Sequence, residues 1–297
     1  MKYQAQLEKI RTGQGFVAAL DQSGGSTPKA LRLYGVNEDA YANDDEMFAL
    51  IHHMRSRIVN SPAFTGDKVV GAILFEMTMD REINGTPAAT TLWEGNGVVP
   101  FLKVDKGLRD LHDGVQLMKP IDGLDETLTR AVAAGMFGTK MRSVCSAANP
   151  AGVAAIVAQQ FEIGKQILAH GLMPILEPEV TISIEDKAET EALLLAEITK
   201  QLDLLNDDQQ IMLKLTLPEE PNIYLPLVNH PKVLKIVALS GGYDRAEANR
   251  RLAQNSGIIA SFSRALTEGL SADQDDATFD ATLSETIDAI YTASISG

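Results

Sequence analysis

A lysine in the middle of a short apolar run is chemically conspicuous, and the run QIMLKL, residues 210–215, carries one at Lys214. The acidic turn Asn206-Asp207-Asp208 bounds the run on one side and Pro218 on the other. Ile211, Met212, Leu213 and Leu215 predict a strand buried on both faces, as in parallel sheets. An ammonium buried there without a partner is driven toward its neutral form. A neutral lysine amine attacks carbonyls. The plain alternative is a strand-end lysine that reaches solvent. The other apolar runs decide between them, because they end in the same way. Asp21 follows FVAAL (16–20), Glu76 follows VVGAILF (69–75), and Lys103 and Asp105 stand at the end of VVPFLKV (98–104). Lys140 and Arg142 lie in MFGTKMR (136–142), and Glu177 and Glu179 in LMPILEPE (172–179). Ser240 ends VLKIVALS (233–240), and Arg264 follows GIIASFS (257–263).

Taken singly, any of these can be a solvated loop-edge charge or half of an ion pair; for Glu76 that reading is preferred, and for Asp21 it is even with a chemical role. Taken together they have a chemical logic. Lys140 near Lys214 disfavours two simultaneous ammoniums, which favours a free amine. Asp21 and Glu177 supply two carboxylates able to move protons as a carbinolamine forms, dehydrates and is hydrolysed. Ser240-Gly241-Gly242 and Ser261-Phe262-Ser263-Arg264 offer loop amides and a guanidinium to a phosphate. Lys103 and Arg142, with Ser23 and Ser26, offer a second anion site. No metal is expected. His52, His53, His112, His170 and His230 avoid strand ends and show neither H-x-H nor H-E-x-x-H spacing. Cys145, just past the fourth run, reads as a small packed residue.

Positioning these groups falls to the elements between them. Thr27-Pro28 starts a short helix that stops at Gly35. Asp44 to Val59 is amphipathic through Met47, Leu50, Ile51, Met54 and Ile58, with three acids at its positive end. Leu124, Leu128 and Val132 mark a third helix, Asn149-Pro150 caps a long one ended by Gly171, and Ser183-x-x-Asp186 has the form of a capping box for the next. Helices from about Asp244 to Asn255 and through Phe279, Leu283, Ile287 and Ile290 complete the chain. Eight short strands mostly separated by helices, with no linker or low-complexity tract, predict an α/β fold. It is a single (β/α)8 TIM barrel spanning residues 1–297. A doubly wound nucleotide-binding sheet is disfavoured, since Gly24-Gly25 and Gly95-Asn96-Gly97 lack the required spacing.

The 297 residues, 45% hydrophobic, carry 26 Lys+Arg against 40 Asp+Glu, a formal charge of −14. That balance argues against nucleic acid or an anionic membrane as partner. A cationic mouth on such a protein points to a small, highly anionic substrate. The single cysteine forbids an intrachain disulfide and suits a reducing compartment. No apolar run approaches the ~20 residues of a membrane span. Met1-Lys2 leads into a polar segment rather than a signal-peptide core, so a cytoplasmic location is expected. The sequon Asn84-Gly85-Thr86 carries no meaning there. The sequence leaves room for a homo-oligomer.

The motifs ALDQSGGS (19–26), FLKVDKG (101–107), GTKMR (138–142), PILEPE (174–179), MLKLT (212–216), LSGG (239–242) and SFSRAL (261–266) occur in this order. On them the chain resembles, over nearly its whole length, the class I, Schiff-base-forming fructose-bisphosphate aldolases. The resemblance implies a barrel, no cofactor, and reversible cleavage of fructose 1,6-bisphosphate to dihydroxyacetone phosphate and glyceraldehyde 3-phosphate. It implies Lys214 as the Schiff-base lysine, Glu177 as the main acid/base, and Asp21 as acceptor of the C4-hydroxyl proton. Lys140 is implied as the second lysine, with Glu179 supporting it. Ser240, Gly241 and Arg264 match the C1-phosphate site; Lys103, Arg142, Ser23 and Ser26 match the C6-phosphate region. Three departures stand out. The family's common Asp-Glu-Ser is Asp21-Gln22-Ser23, and the frequent Ser-Tyr-Gly-Arg is Ser261-Phe262-Ser263-Arg264. The tyrosine-tipped arm of animal members has no counterpart at Ile295-Ser296-Gly297, which resembles the shorter bacterial branch. The rival readings are a Schiff-base aldolase for another phosphorylated ketose, such as tagatose 1,6-bisphosphate, and a catalytically silent scaffold, which Lys214, Glu177 and Asp21 together disfavour.

Overall fold

Eight parallel strands follow one another around a sheet in chain order in the computed structural model, which describes residues 3–297. Met1 and Lys2, from which the absence of a signal-peptide core is read, lie outside the described residues. The strands are β1 (Phe16–Leu20), β2 (Val69–Leu74), β3 (Val99–Lys103), β4 (Gly138–Cys145), β5 (Met173–Val180), β6 (Ile211–Thr216), β7 (Val233–Leu239) and β8 (Ile258–Ala260). The amide of Ala19 donates to the Phe262 carbonyl at 3.1 Å, joining the β8 end to β1 and closing the barrel. Parallel neighbours need crossovers, and helices supply most of them: α1 (Asp44–Asn60), α2 (Leu124–Ala134), α3 (Pro150–Ala169), α4 (Lys187–Asp203) and α5 (Arg245–Leu252). The last helix, α6 (Asp276–Ile295), packs on β8 and β1, with Phe279, Leu283, Ile287 and Ile290 buried.

Two apolar layers follow from the two faces of each strand. Val17, Ile73, Phe101, Ile175, Met212, Val237 and Ile259 fill the barrel interior. An amino-terminal helix (Gln4–Thr12) adds Ile10 to that cluster beside Val70, Val99 and Leu234, which stand near the amino-terminal ends of their strands. The far end is left to polar side chains. The outer layer, between strands and helices, includes Leu20, Leu74, Leu176, Leu213 and the helix residues Met47, Ile51, Met54 and Ile58.

Several boundaries differ from the sequence expectation. β4 starts at Gly138 rather than 136 and runs to Cys145, because it extends beside β5 as far as Val180 and also pairs antiparallel with Val115–Gln116. Cys145 therefore ends a strand, is fully buried, and burial pushes its thiol up to about 12. β8 pairs with β7 only through Ala260, so Ser261 to Ser263 leave the strand. The Ser183–Asp186 capping box does not form. Asp186 itself stands at the N-cap of α4 and accepts from the amide of Ala148 at 2.6 Å. Ser26, not Thr27, occupies the cap of the helix Thr27–Leu33. Asn149 caps as read, accepting from the amide of Gly152, and Asp244, read as the start of its helix, caps it by accepting from the amide of Glu247. Glu76 opens a short helix and pairs with Lys106 and Arg130, the ion-pair role favoured for it from sequence.

Candidate active site

A spacing of two residues on a strand returns to the same face. Lys140 and Arg142 on β4, and Glu177 and Glu179 on β5, therefore share one face at the carboxyl ends of adjacent strands. Lys103 ends β3 in register with Lys140, Lys214 lies on β6, and Asp21 follows β1 directly. These groups surround a cavity of about 570 Å³. Its wall holds six cationic side chains, Lys29, Lys103, Lys140, Arg142, Lys214 and Arg264, against four carboxylates, Asp21, Asp105, Glu177 and Glu179. In a chain of net charge −14 this concave excess of positive charge favours an anionic ligand.

Two lysines and two carboxylates form its floor. Lys140 Nζ lies 2.6 Å from Asp21 Oδ2 and 2.8 Å from Glu177 Oε2; Lys214 Nζ lies 3.0 Å from Glu177 Oε1. All four are buried. The Lys140 contact with Glu177 is ionic, without hydrogen-bonding geometry, so Oε2 keeps a lone pair free. Burial pushes the Asp21 carboxyl up, but the ammoniums of Lys140 and Lys214 outweigh it and hold the group far below the usual range. Burial likewise raises Glu177, and the same two lysines override it, leaving a net lowering rather than a balance. Burial disfavours the Lys140 ammonium, yet Asp21, Glu177 and Asp105 raise its pKa, so it is firmly cationic.

Lys140→Met leaves these two carboxylates facing a single ammonium. Removing one partner of a buried pair costs about 3–5 kcal/mol, the loss expected at neutral pH. Both carboxyls titrate below their ordinary values of 3.8 and 4.5 in the folded protein. The stability they give is therefore complete above those values and fades as pH falls through the lower native ones. The variant's deficit should shrink over the same acid range, which urea unfolding of both proteins from neutral to acid pH measures.

The second cation group is tied down by Asp105, which the sequence reading leaves unassigned, and by Glu179, which that reading gives to Lys140. Lys103 donates to Asp105 Oδ1 at 2.7 Å and to its carbonyl at 3.0 Å, while Asp105 Oδ2 accepts from the Arg142 amide. Arg142 Nε donates to Glu179 at 2.6 Å. Glu179 thus holds Arg142, and Lys140 takes its carboxylates from Asp21 and Glu177 instead. Ser23 and Ser26 bond to each other across the first loop. On the opposite side Ser240, Gly241, Ser263 and Arg264 line the cavity. Gly241 has φ 62°, and a Cβ there would come within 2.6 Å of Ile182 Cγ2, so only glycine fits this turn. Arg264 Nη2 stands 3.5 Å from where a Cβ on Gly242 would be, and among the described residues no carboxylate pairs with it. Gly242 and Ser261 do not line the cavity; Ser261 is buried behind it with its Oγ unbonded. Lys29 and Gln22 do line it and are absent from the sequence assignment. Among the described residues no group of three or more His, Cys, Asp or Glu is placed to hold a metal ion, and no helix is long and apolar enough to cross a membrane.

Known proteins match this chain. The family model for class-I fructose-bisphosphate aldolase matches residues 4–229. The fructose-bisphosphate aldolase class 1 of Synechocystis sp. is 58% identical over 292 residues, 98% of this chain and 97% of the relative. In structure, the fructose-bisphosphate aldolase of Plasmodium falciparum, solved with TRAP and a small-molecule inhibitor, superposes with a TM-score of 0.80. It does so over 99% of this chain and 94% of that one, at 20% identity, which speaks for the barrel alone. With the barrel, its buried lysines and these matches in hand, the chain belongs to the class I fructose-bisphosphate aldolase family.

Proposed function

We propose that residues 1–297 form one catalytic domain that reversibly cleaves fructose 1,6-bisphosphate through a Schiff base on Lys214. The observation that carries this is the 3.0 Å approach of Lys214 Nζ to Glu177 within the cationic cavity. Glu177 takes a proton from the Lys214 ammonium, freeing the amine to attack the C2 carbonyl carbon. It then returns a proton to the carbinolamine hydroxyl, which leaves as water and gives the protonated imine. That imine draws in the electron pair of the C3–C4 bond as Asp21, kept ionised by Lys140, accepts the C4-hydroxyl proton. Glyceraldehyde 3-phosphate departs, and the enamine left behind is protonated at C3. Hydrolysis of the imine releases dihydroxyacetone phosphate and restores Lys214. Lys140 stays charged throughout and neutralises the alkoxide developing beside Asp21.

Arg264, with the Ser240-Gly241 turn, receives the C1 phosphate, and Lys103, Arg142 and Ser23 with Ser26 face the C6 end. Phosphorylated sugars and a single buried thiol suit a reducing, cytoplasmic setting. Because the imine serves as electron sink, activity should be unchanged by EDTA and unimproved by added Zn²⁺ or Co²⁺. A coupled triose-phosphate assay on fructose 1,6- and tagatose 1,6-bisphosphate, with and without chelator, tests both points. Loss of activity on chelation, restored by metal, overturns the imine route; faster cleavage of the tagatose epimer reassigns the substrate.

A further inference from the structure

Arg55 heads the fully buried side chains by size, yet among the described residues no carboxylate pairs with it. It projects from α1, outside the cavity wall, and an unpaired buried guanidinium is costly unless its hydrogens are placed. Its Nη1 donates to Thr78 Oγ1 at 2.8 Å; its Nη2 donates to the Gln22 carbonyl and, at 3.3 Å, to Gln22 Oε1. Gln22 Nε2 then donates to Ser263 Oγ at 2.8 Å. Gln22 and Ser263 are two positions at which the chain departs from the motifs it otherwise resembles. The structure brings the two departures into contact.

The direction of this chain of bonds is fixed by chemistry. A guanidinium only donates, so the amide atom facing Arg55 must be the oxygen, and the amide NH2 must face Ser263. Ser263 Oγ accepts that bond, and among the described residues no acceptor takes its own proton. The hydroxyl is therefore a donor available to the cavity that it lines, next in sequence to Arg264. A glutamate at position 22 would do the reverse: it would accept the Ser263 proton and withdraw the donor.

We propose that Ser263 is a specificity residue that donates to the substrate's phosphate, and that Arg55 and Gln22 are positioning residues that keep its hydroxyl turned to that task. This rests on reading the cavity as a phosphate site with an imine-forming lysine. The test is borohydride trapping on the full chain, titrated with dihydroxyacetone phosphate and with unphosphorylated dihydroxyacetone. Ser263→Ala should raise the half-saturating concentration of the phosphate ester about 10-fold, as for one hydrogen bond to a charged group, and leave dihydroxyacetone unchanged. Arg55→Met and Gln22→Met should shift the same value in the same direction, and neither should add to Ser263→Ala. Arg55→Lys, which keeps a donor to the amide oxygen, should recover part of the loss. Gln22→Met changes no residue of α1 and leaves Arg55 its bonds to Thr78 and the residue-22 carbonyl, so the test survives if Arg55→Met does not fold. Unchanged trapping by the ester in Ser263→Ala overturns the proposal. So do equal losses on both trioses, or losses in the Gln22 and Arg55 variants that add in full to Ser263→Ala. A wild-type protein that traps neither triose overturns instead the reading on which the proposal rests.

Discussion

Lys214→Met should reduce cleavage of fructose 1,6-bisphosphate on the order of 10⁶-fold or more, the lower end of ordinary enzymatic rate enhancement. No other amine can replace it in place. Lys140 is the nearest rival, but it is clamped between Asp21 at 2.6 Å and Glu177 at 2.8 Å and its ammonium is stabilised. Among the described residues Lys214 pairs with one carboxylate, Glu177, at 3.0 Å, and it lines the cavity, so a carbonyl can approach its amine. Methionine is of similar volume and apolar, and Met212 and Leu213 already line this strand, so the barrel should remain folded. Steady-state assay with a circular dichroism control measures the effect. Activity within 100-fold of wild type would move the nucleophile to another residue.

The two carboxylates should fail at different steps. Glu177→Gln removes the carboxylate that, among the described residues, contacts both lysines, so both deprotonation of Lys214 and dehydration of the carbinolamine should lose their proton carrier. Imine formation should slow by about 10²–10⁴-fold, the range for general acid–base catalysis. Asp21→Asn spares the Lys214–Glu177 contact. It should form imine from dihydroxyacetone phosphate at close to the wild-type rate, yet cleave the bisphosphate about 10²–10⁴-fold more slowly for want of a base at the C4 hydroxyl. Rapid-quench trapping of both variants separates the steps. Imine formation at the wild-type rate in Glu177→Gln would remove the role given to Glu177.

The groups legible from sequence were those whose chemistry contradicts their surroundings. Lys214 inside an apolar run and the Lys140/Arg142 and Glu177/Glu179 pairs at strand ends need no structure to be noticed, because period-two spacing already puts each pair on one face. Their pairing was not legible. Glu179 goes to Arg142, and Glu177 to both lysines, because neighbouring barrel strands are offset along the axis, and that offset emerges only on closure. Arg55 was invisible for a different reason. One arginine in an amphipathic helix ordinarily faces water, and only the packing of α1 beneath the loop after β1 buries it. Asp105 is similar: beside Lys103 in FLKVDKG it reads as one more strand-end charge, until the turn after β3 folds it back onto the lysine. The capping box at Ser183 failed because Asp186 found a longer-range partner in the Ala148 amide, which no local pattern encodes.

The claim on which everything else depends is that one lysine, Lys214, carries the substrate. Wild-type protein treated with borohydride in the presence of dihydroxyacetone phosphate, then digested and mapped by mass spectrometry, addresses it directly. The account predicts one stable adduct per chain, on the peptide containing MLKLT and on Lys214 within it, and no adduct without the triose phosphate. An adduct on Lys140, or the absence of any covalent product while cleavage activity persists, would contradict it.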